Sequence, residues 1–264
     1  KLVQLQNLPL LKYFRQTKPL TYQSSLRKLK QQWFRVQTLT ARLLMNTIKM
    51  SDHIKRLKDD HKDFNVDSLG LDFNSDPYLG FQKWFDEACD KKESEPNAFC
   101  LSTVDLNSQQ PSSRILYLKD LRNDELVFYT NYNSDKGGQL NTNNKASMLF
   151  FWPGLQRQIR INGLVSKVSA EESDNYFISR PRSSQIGAWA SNQSQRLQSI
   201  QDLEKRVKVL ESRFPNEVPR PDFWGGYALK PIYFEFWQGR PSRLHDRLCF
   251  EFLNDNWTSF HKNP

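Results

Sequence analysis

Cysteine, glycine and long apolar runs are all scarce in this chain. The three cysteines, Cys89, Cys100 and Cys249, are widely spaced and odd in number. They build no disulfide framework and no Cys-x-x-Cys or Cys/His metal spacing, so no metal site is expected. They read as reduced, buried thiols of an intracellular protein. Ten glycines occur in 264 residues, and none falls into a GxGxxG or Walker pattern. No stretch approaches the ~18 to 20 apolar residues that cross a bilayer; the densest run, Met148 to Trp152, is strand length. Acidic side chains are missing from residues 1–51, which carry ten Lys or Arg. The formal charge of +9 therefore belongs to that segment, because the remainder holds 28 basic and 29 acidic residues. Net charge gives a nucleic-acid groove in the body no support, and neither nucleic acid nor membrane is expected as a partner.

What is present divides into three parts. Residues 1–51 mix hydroxyl, amide and basic side chains, and Ser25 to Arg35 suits a basic amphipathic helix. Three readings fit: a mitochondrial presequence, a disordered tail, or untranslated sequence ahead of a start at Met45 or Met50. Residues 52–76 form a polar lead-in, and residues 77–264 the folded domain. Asp76 followed by Pro77 marks a helix start, with Leu79, Trp84, Phe85 and Ala88 as its apolar stripe. Strand-like segments follow at 98–104, 114–118, 125–130, 145–152 and 156–168. Helices are expected near 138–141 and at 170–179, 183–192 and 199–214. The last strands are expected at 226–237, 243–252 and around Trp257. Several antiparallel-type strands with helices inserted late predict a mainly β fold, a barrel with peripheral helices.

Five clusters carry candidate chemistry. On the strand after Ser113, alternation places Arg114, Leu116 and Leu118 on one face and Ile115, Tyr117 and Lys119 on the other. Tyr129-Thr130 leads into Ser134-Asp135-Lys136-Gly137-Gly138, small residues and a Lys at a helix start, which suit a phosphate. Gln158 offers both a donor and an acceptor to a heterocycle edge. Tyr176, Arg180, Arg182, Ser183 and Ser184 precede a helix and suit an anion; Gln193 and Ser194 add further donors. Finally, Arg243, His245 and Arg247 alternate on an expected strand beside Trp237. Three such groups on one buried face are costly without an anionic ligand.

In that order the five clusters resemble the pyridoxamine 5′-phosphate oxidase family. The most specific strings are Ser179-Arg180-Pro181-Arg182-Ser183-Ser184-Gln185-Ile186-Gly187-Ala188, Trp224-Gly225-Gly226-Tyr227, and Glu235-Phe236-Trp237-Gln238-Gly239 with Arg243-Leu244-His245-Asp246-Arg247. The resemblance implies an FMN-binding split β-barrel, antiparallel and of Greek-key type, with sites at a homodimer interface. It implies FMN-dependent oxidation of pyridoxamine or pyridoxine 5′-phosphate to pyridoxal 5′-phosphate. Oxygen is the acceptor and hydrogen peroxide is released.

The implied roles follow residue by residue. Arg114 and Lys136 hold the FMN phosphate, with Ser194 helping. Ile115, Leu116, Tyr117, Tyr129 and Thr130 line the flavin. Gln158 and Gln193 contact it, and Trp237 and Arg247 complete that site. Lys119, Tyr176, Arg180 and Ser184 bind the substrate phosphate. Arg243, Leu244 and His245 lie at the substrate ring, with Arg243 and His245 catalytic. The compartment implied is cytoplasmic, or mitochondrial if residues 1–51 are a presequence. Two departures bear on activity. Asp135 stands where the family has Arg, and an acid near a phosphate weakens binding unless it points outward. His261 and Lys262 replace the Arg-Leu of the family's terminal Arg-Leu-x-Pro, which implies altered terminal anchoring. The alternative reading is a weakly active or non-catalytic paralogue that binds FMN or pyridoxal phosphate.

Overall fold

Strand β7 (Trp224–Gln238), fifteen residues long, organises the sheet. The structure is a computed structural model that describes residues 64–66, 69 and 76–264. The basic segment 1–51 and most of the lead-in lie outside the described residues. In chain order the elements are α1 (Pro77–Asp90), β1 (Ala98–Val104), β2 (Pro111–Tyr117), β3 (Asp120–Arg122), β4 (Glu125–Asn131), α2 (Asp135–Thr142), β5 (Lys145–Trp152) and β6 (Arg157–Lys167). They continue as α3 (Ala170–Ser179), α4 (Arg182–Ala190), α5 (Ile200–Arg213), β7, β8 (Asp246–Leu253) and β9 (Asn256–His261). All strand pairs are antiparallel, in the order β2-β1-β5-β6-β7-β4-β3, with β8 on β7 and β9 on β8.

One edge of β7 pairs with β6 from Tyr227 to Gln238. Its other edge is shared: Trp224 to Leu229 pair with β4, and Tyr233 to Gln238 with β8. The changeover falls at Pro231, which has no N–H to give a neighbour. A register shift lies opposite it, between Asn162 and Gly163. Gly163 is required there, since a Cβ would stand 2.4 Å from the Lys230 carbonyl oxygen. This shared edge is what splits the curled, half-barrel sheet, and it accounts for the mainly β architecture expected from sequence.

Helices α1, α3 and α5 start within a residue of where the sequence places them, whereas α2 begins at Asp135, a turn before the helix expected near 138–141, and α4 ends at Ala190 rather than 192. Asp76 accepts from the Tyr78 N–H with Pro77 in the first turn, and Ser134, Ser169 and Ser199 cap α2, α3 and α5. Such caps are each worth about 0.5–2 kcal/mol. The buried face of α1 (Phe81, Trp84 and Ala88) packs on the sheet. Trp84 meets Phe236 edge-on at 5.4 Å and Phe81 meets Phe150 at 5.2 Å, so the core is largely aromatic. Among the described residues no helix is long and apolar enough to cross a membrane.

The structure corrects the sequence reading at three elements. Strand β2 starts at Pro111 rather than Arg114, and the three-residue β3 was not expected. Residues 241–243 form a 3-10 turn, and β8 begins only at Asp246. Pro241 starts that turn, and the Arg240 N–H is taken by His245 Nδ1 at 3.1 Å instead of a strand partner. Ser242 and Arg243 adopt left-handed backbone, with φ of 56° and 61°.

Trp84 is fully buried, so Trp84→Ala should lower stability by about 3–5 kcal/mol. Urea unfolding followed by far-UV circular dichroism measures it.

Candidate active site

A cavity of about 660 Å³ opens between β2, β4 and the helices α3 and α4. Its floor is aromatic: Tyr129 stacks on Tyr176 at 3.8 Å between centroids and on Trp224 at 5.7 Å. Trp224 opens a Gly-Gly pair for a packing reason. A Cβ on Gly225 would stand 2.2 Å from Tyr132 Oη, and one on Gly226 2.8 Å from the Tyr129 ring.

Arg180 lies over the Trp224 ring, 4.3 Å from its centroid. Burial pulls its pKa down. Its Nη1 is buried and has no hydrogen-bond partner. A guanidinium held this way is incomplete until an anion arrives. Tyr176 and Ser184 line the same wall, and Ser184 lies in the first turn of α4, whose N-cap Pro181 supplies no side-chain acceptor. Lys119 lines the cavity too. Arg182 does not join them: its guanidinium turns away to the carbonyls of Phe214 and Asn216.

A second cationic centre adjoins the cavity at Thr130 and Gln193. Lys136 is buried, and its Nζ donates to Gln193 Oε1 at 2.8 Å and to Ser134 Oγ at 3.0 Å. Both partners are neutral. Burial and the Arg114 charge pull the ammonium down to about 8, with Asp135 acting in the opposite direction. Burial likewise lowers the Arg114 pKa. The Arg114 charge is thus close enough to be felt at Lys136. Gly137, beside them, has no room for a side chain, since a Cβ would lie 2.0 Å from the Tyr132 carbonyl oxygen. Ser194 Oγ accepts the Asp135 N–H at 3.2 Å, while the Asp135 side chain is exposed. Its charge is nonetheless felt at both cations, since it acts to raise the pKa of Lys136 and of Arg114.

The remaining expected residues gather elsewhere, on β6, β7 and β8. Gln158, Trp237 and Arg247 are register partners across three strands and so share one face. His245 packs on Trp237 at 4.6 Å, and Phe64 meets both rings edge-on. The Arg240 N–H bond to Nδ1 fixes neutral His245 as the Nε2–H tautomer. Burial and the Arg243 charge lower its pKa. Within one chain none of these residues lines the cavity. The expected single strand face of Arg243, His245 and Arg247 is overturned by the turn at 241–243. Arg243 and Leu244 are exposed, and Arg247 donates from Nε and Nη2 to Glu235 Oε1 at 3.0 and 2.8 Å.

Glu235 is almost wholly buried and also takes Arg160 and the Tyr233 hydroxyl. Burial pushes its carboxyl up, but the bonds from Tyr233 and Arg247 and the nearby Arg charges outweigh that and hold it low. The costly unpaired cations therefore sit at Arg180 and Lys136, not at Arg247. The chain terminus is anchored here despite the substitutions: Lys262 Nζ donates to Tyr233 Oη at 3.0 Å, and Arg247 Nη1 to the Asn263 carbonyl at 2.9 Å.

Sequence reasoning missed Trp224 and Asn131 as cavity walls. It also missed Thr103, Ser112 and Gln139 around Arg114. The Trp-Gly-Gly string was a usable signal for the first; the others are ordinary polar residues with none. Among the described residues no His, Cys, Asp or Glu group is arranged to hold a metal.

Two family models match the chain: pyridoxamine 5′-phosphate oxidase over residues 85–213, and the pyridoxine 5′-phosphate oxidase C-terminal dimerisation region over residues 224–264. The pyridoxine/pyridoxamine 5′-phosphate oxidase of Paraburkholderia phytofirmans is 49% identical over 190 residues, 72% of this chain and 89% of that protein. The same-named protein of Bordetella pertussis is 53% identical over 175 residues, 66% of this chain and 82% of that one. Among solved structures, PhzG from Burkholderia lata, in complex with tetrahydrophenazine-1-carboxylic acid, superposes with a TM-score of 0.70 at 27% identity. The match covers 75% of this chain and all of that one.

The Lys136 shift has a sign that can be measured. Its ammonium is charged below about pH 8, so affinity for a phosphate monoester should be full there. Above it, affinity should fall toward tenfold per pH unit, and Lys136→Met should flatten the profile. The empty chain should show the opposite trend. The unfolded state binds the extra proton between about 8 and the ordinary 10.5, so stability rises with pH across that window. Ligand titration and urea unfolding on both sides of about pH 8 test the two halves.

Proposed function

The chain belongs to the pyridoxamine 5′-phosphate oxidase family, and we propose that it oxidises pyridoxamine or pyridoxine 5′-phosphate to pyridoxal 5′-phosphate with FMN as cofactor. One observation carries the reading: two separate cationic centres, Lys136 with Arg114 and the orphaned Arg180, adjoin one aromatic-floored cavity. Two phosphorylated rings need that arrangement.

Arg114 and Lys136 hold the FMN phosphate with Ser194. Ile115, Leu116, Tyr117, Tyr129, Thr130 and Gln193 line the ring. Lys119, Tyr176, Arg180 and Ser184 take the substrate phosphate. FMN held there would supply the hydride acceptor for C4′ of the substrate, with oxygen as the final acceptor reduced to hydrogen peroxide. With the amine, water then hydrolyses the substrate imine and ammonia departs; with the alcohol, the aldehyde forms directly. The protein's own work is orientation and charge.

Gln158, Trp237, Arg243, Leu244, His245 and Arg247 complete the site from a second copy of the chain. Exposed Ile115, Phe151 and Leu244, 62%, 59% and 66% accessible, supply apolar surface for that contact. Arg243 and His245 then lie over the substrate ring. The Nε2–H of His245 is free to donate to it.

Purified protein should be yellow and release one peroxide per pyridoxal phosphate formed. Flavin-loaded protein with no turnover on either vitamer sinks the oxidase reading. Arg180→Ala should raise KM roughly 10- to 100-fold, the worth of a charge-assisted phosphate contact. His245→Ala should act mainly on kcat, read from steady-state peroxide assays. Asp135→Arg should tighten FMN binding by roughly threefold to tenfold, the scale of an exposed charge, measured by flavin fluorescence quenching.

A further inference from the structure

We propose that Gln139 is a positioning residue for the cofactor phosphate, one that aims Arg114 while leaving its charge unspent. The inference rests on the reading that Arg114 and Lys136 bind that phosphate. Gln139 Oε1 accepts two hydroxyl protons, from Thr103 at 2.5 Å and from Ser112 at 3.0 Å. A hydroxyl has one proton to give. With those protons committed to Gln139, the oxygen lone pairs of both residues turn to Arg114. The guanidinium uses them: Nη1 donates to Thr103 Oγ1 at 2.6 Å and Nη2 to Ser112 Oγ at 2.7 Å. Nη1 also reaches the Leu101 carbonyl at 3.3 Å.

Every acceptor in this cage is neutral, and no carboxylate pairs with Arg114 among the described residues. The contrast with Arg247 is direct, since Glu235 neutralises that guanidinium. Arg114 is therefore fixed in direction with its positive charge intact, and its Nε–H and one Nη2–H are left for a ligand. Turning the Gln139 amide over would present N–H groups to the two hydroxyls. Each hydroxyl oxygen would then accept from both Gln139 and Arg114 and its proton would lose this acceptor, so the cage would be held less firmly.

The same residue sets spacing. Gln139 and Lys136 are three residues apart on α2, whereas Thr103 lies on β1 and Arg114 with Ser112 on β2. One side-chain oxygen thus ties the helix that carries the ammonium to the strands that carry the guanidinium.

The test compares FMN with riboflavin, which lacks the phosphate, on the full chain. Gln139→Glu keeps the shape and both hydroxyl bonds but puts a negative charge one hydroxyl away from Arg114. Gln139→Leu removes the acceptor. Both variants should lose tenfold or more of FMN affinity while riboflavin affinity stays within twofold of wild type, and Ser112→Ala should shift the FMN-to-riboflavin ratio in the same direction. An unchanged ratio in all three variants overturns the proposal, and so does an equal loss for both ligands, which marks a purely structural role. Should the Gln139 variants not fold, Ser112→Ala decides alone. Wild-type protein that itself holds FMN no tighter than riboflavin overturns the cofactor reading, and this inference with it.

Discussion

The shared edge of β7 is the constraint on which the rest depends. Because Trp224 to Leu229 pair with β4 while Tyr233 to Gln238 pair with β8, one strand supports two different surfaces. Its first half backs Tyr129 and Thr130, the aromatic floor and the approach to Lys136. Its second half carries Trp237 and, through β8, Arg247. Proline at the changeover and glycine opposite it are the local chemistry that lets pairing switch without leaving a buried N–H unsatisfied. Within a single chain the two surfaces stay apart, which is why the proposed site draws its second half from another copy. The C-terminal segment matched as a dimerisation region spans both halves.

Charge is managed differently at the two surfaces. At Glu235, one buried carboxylate gathers Arg160, Arg247 and the terminal Lys262. The cluster is close to self-sufficient, and it anchors the chain end. At Lys136, Arg114 and Arg180 the cations are left with neutral partners or with none. Burial lowers the pKa of all three, a cost that a bound anion would offset. The first arrangement builds structure, and the second stores affinity.

Much of this was legible in the sequence, for definite reasons. Strands such as Ala98–Val104 and Lys145–Trp152 announce themselves by apolar content and flanking turns, and the start of α1 by Asp76-Pro77. Alternation put Arg114 and Leu116 on one face and Ile115 and Tyr117 on the other, and the structure half-buries the first pair and exposes the second. The failures were of two kinds. Arg243 to Arg247 has the period of a strand, but the turn after Pro241 and the bond to His245 Nδ1 override the pattern, which is tertiary information. Gln139, Thr103 and Ser112 meet at Arg114 from three elements, and nothing local marks a polar residue whose partner lies 36 positions away. The family resemblance supplied what pattern could not, the assignment of clusters to two phosphates.

Ser242 and Arg243 hold left-handed backbone without being glycine, at roughly 1–2 kcal/mol each. Glycine at both positions would relieve that tension, yet it would also delete the guanidinium at 243 and loosen the turn that precedes His245. On the role proposed for Arg243, the loop is a place where selection for a more robust fold and selection for turnover pull in opposite directions. Under that role, a screen for stability alone would drift toward glycine there, and its winners would be sturdier and slower.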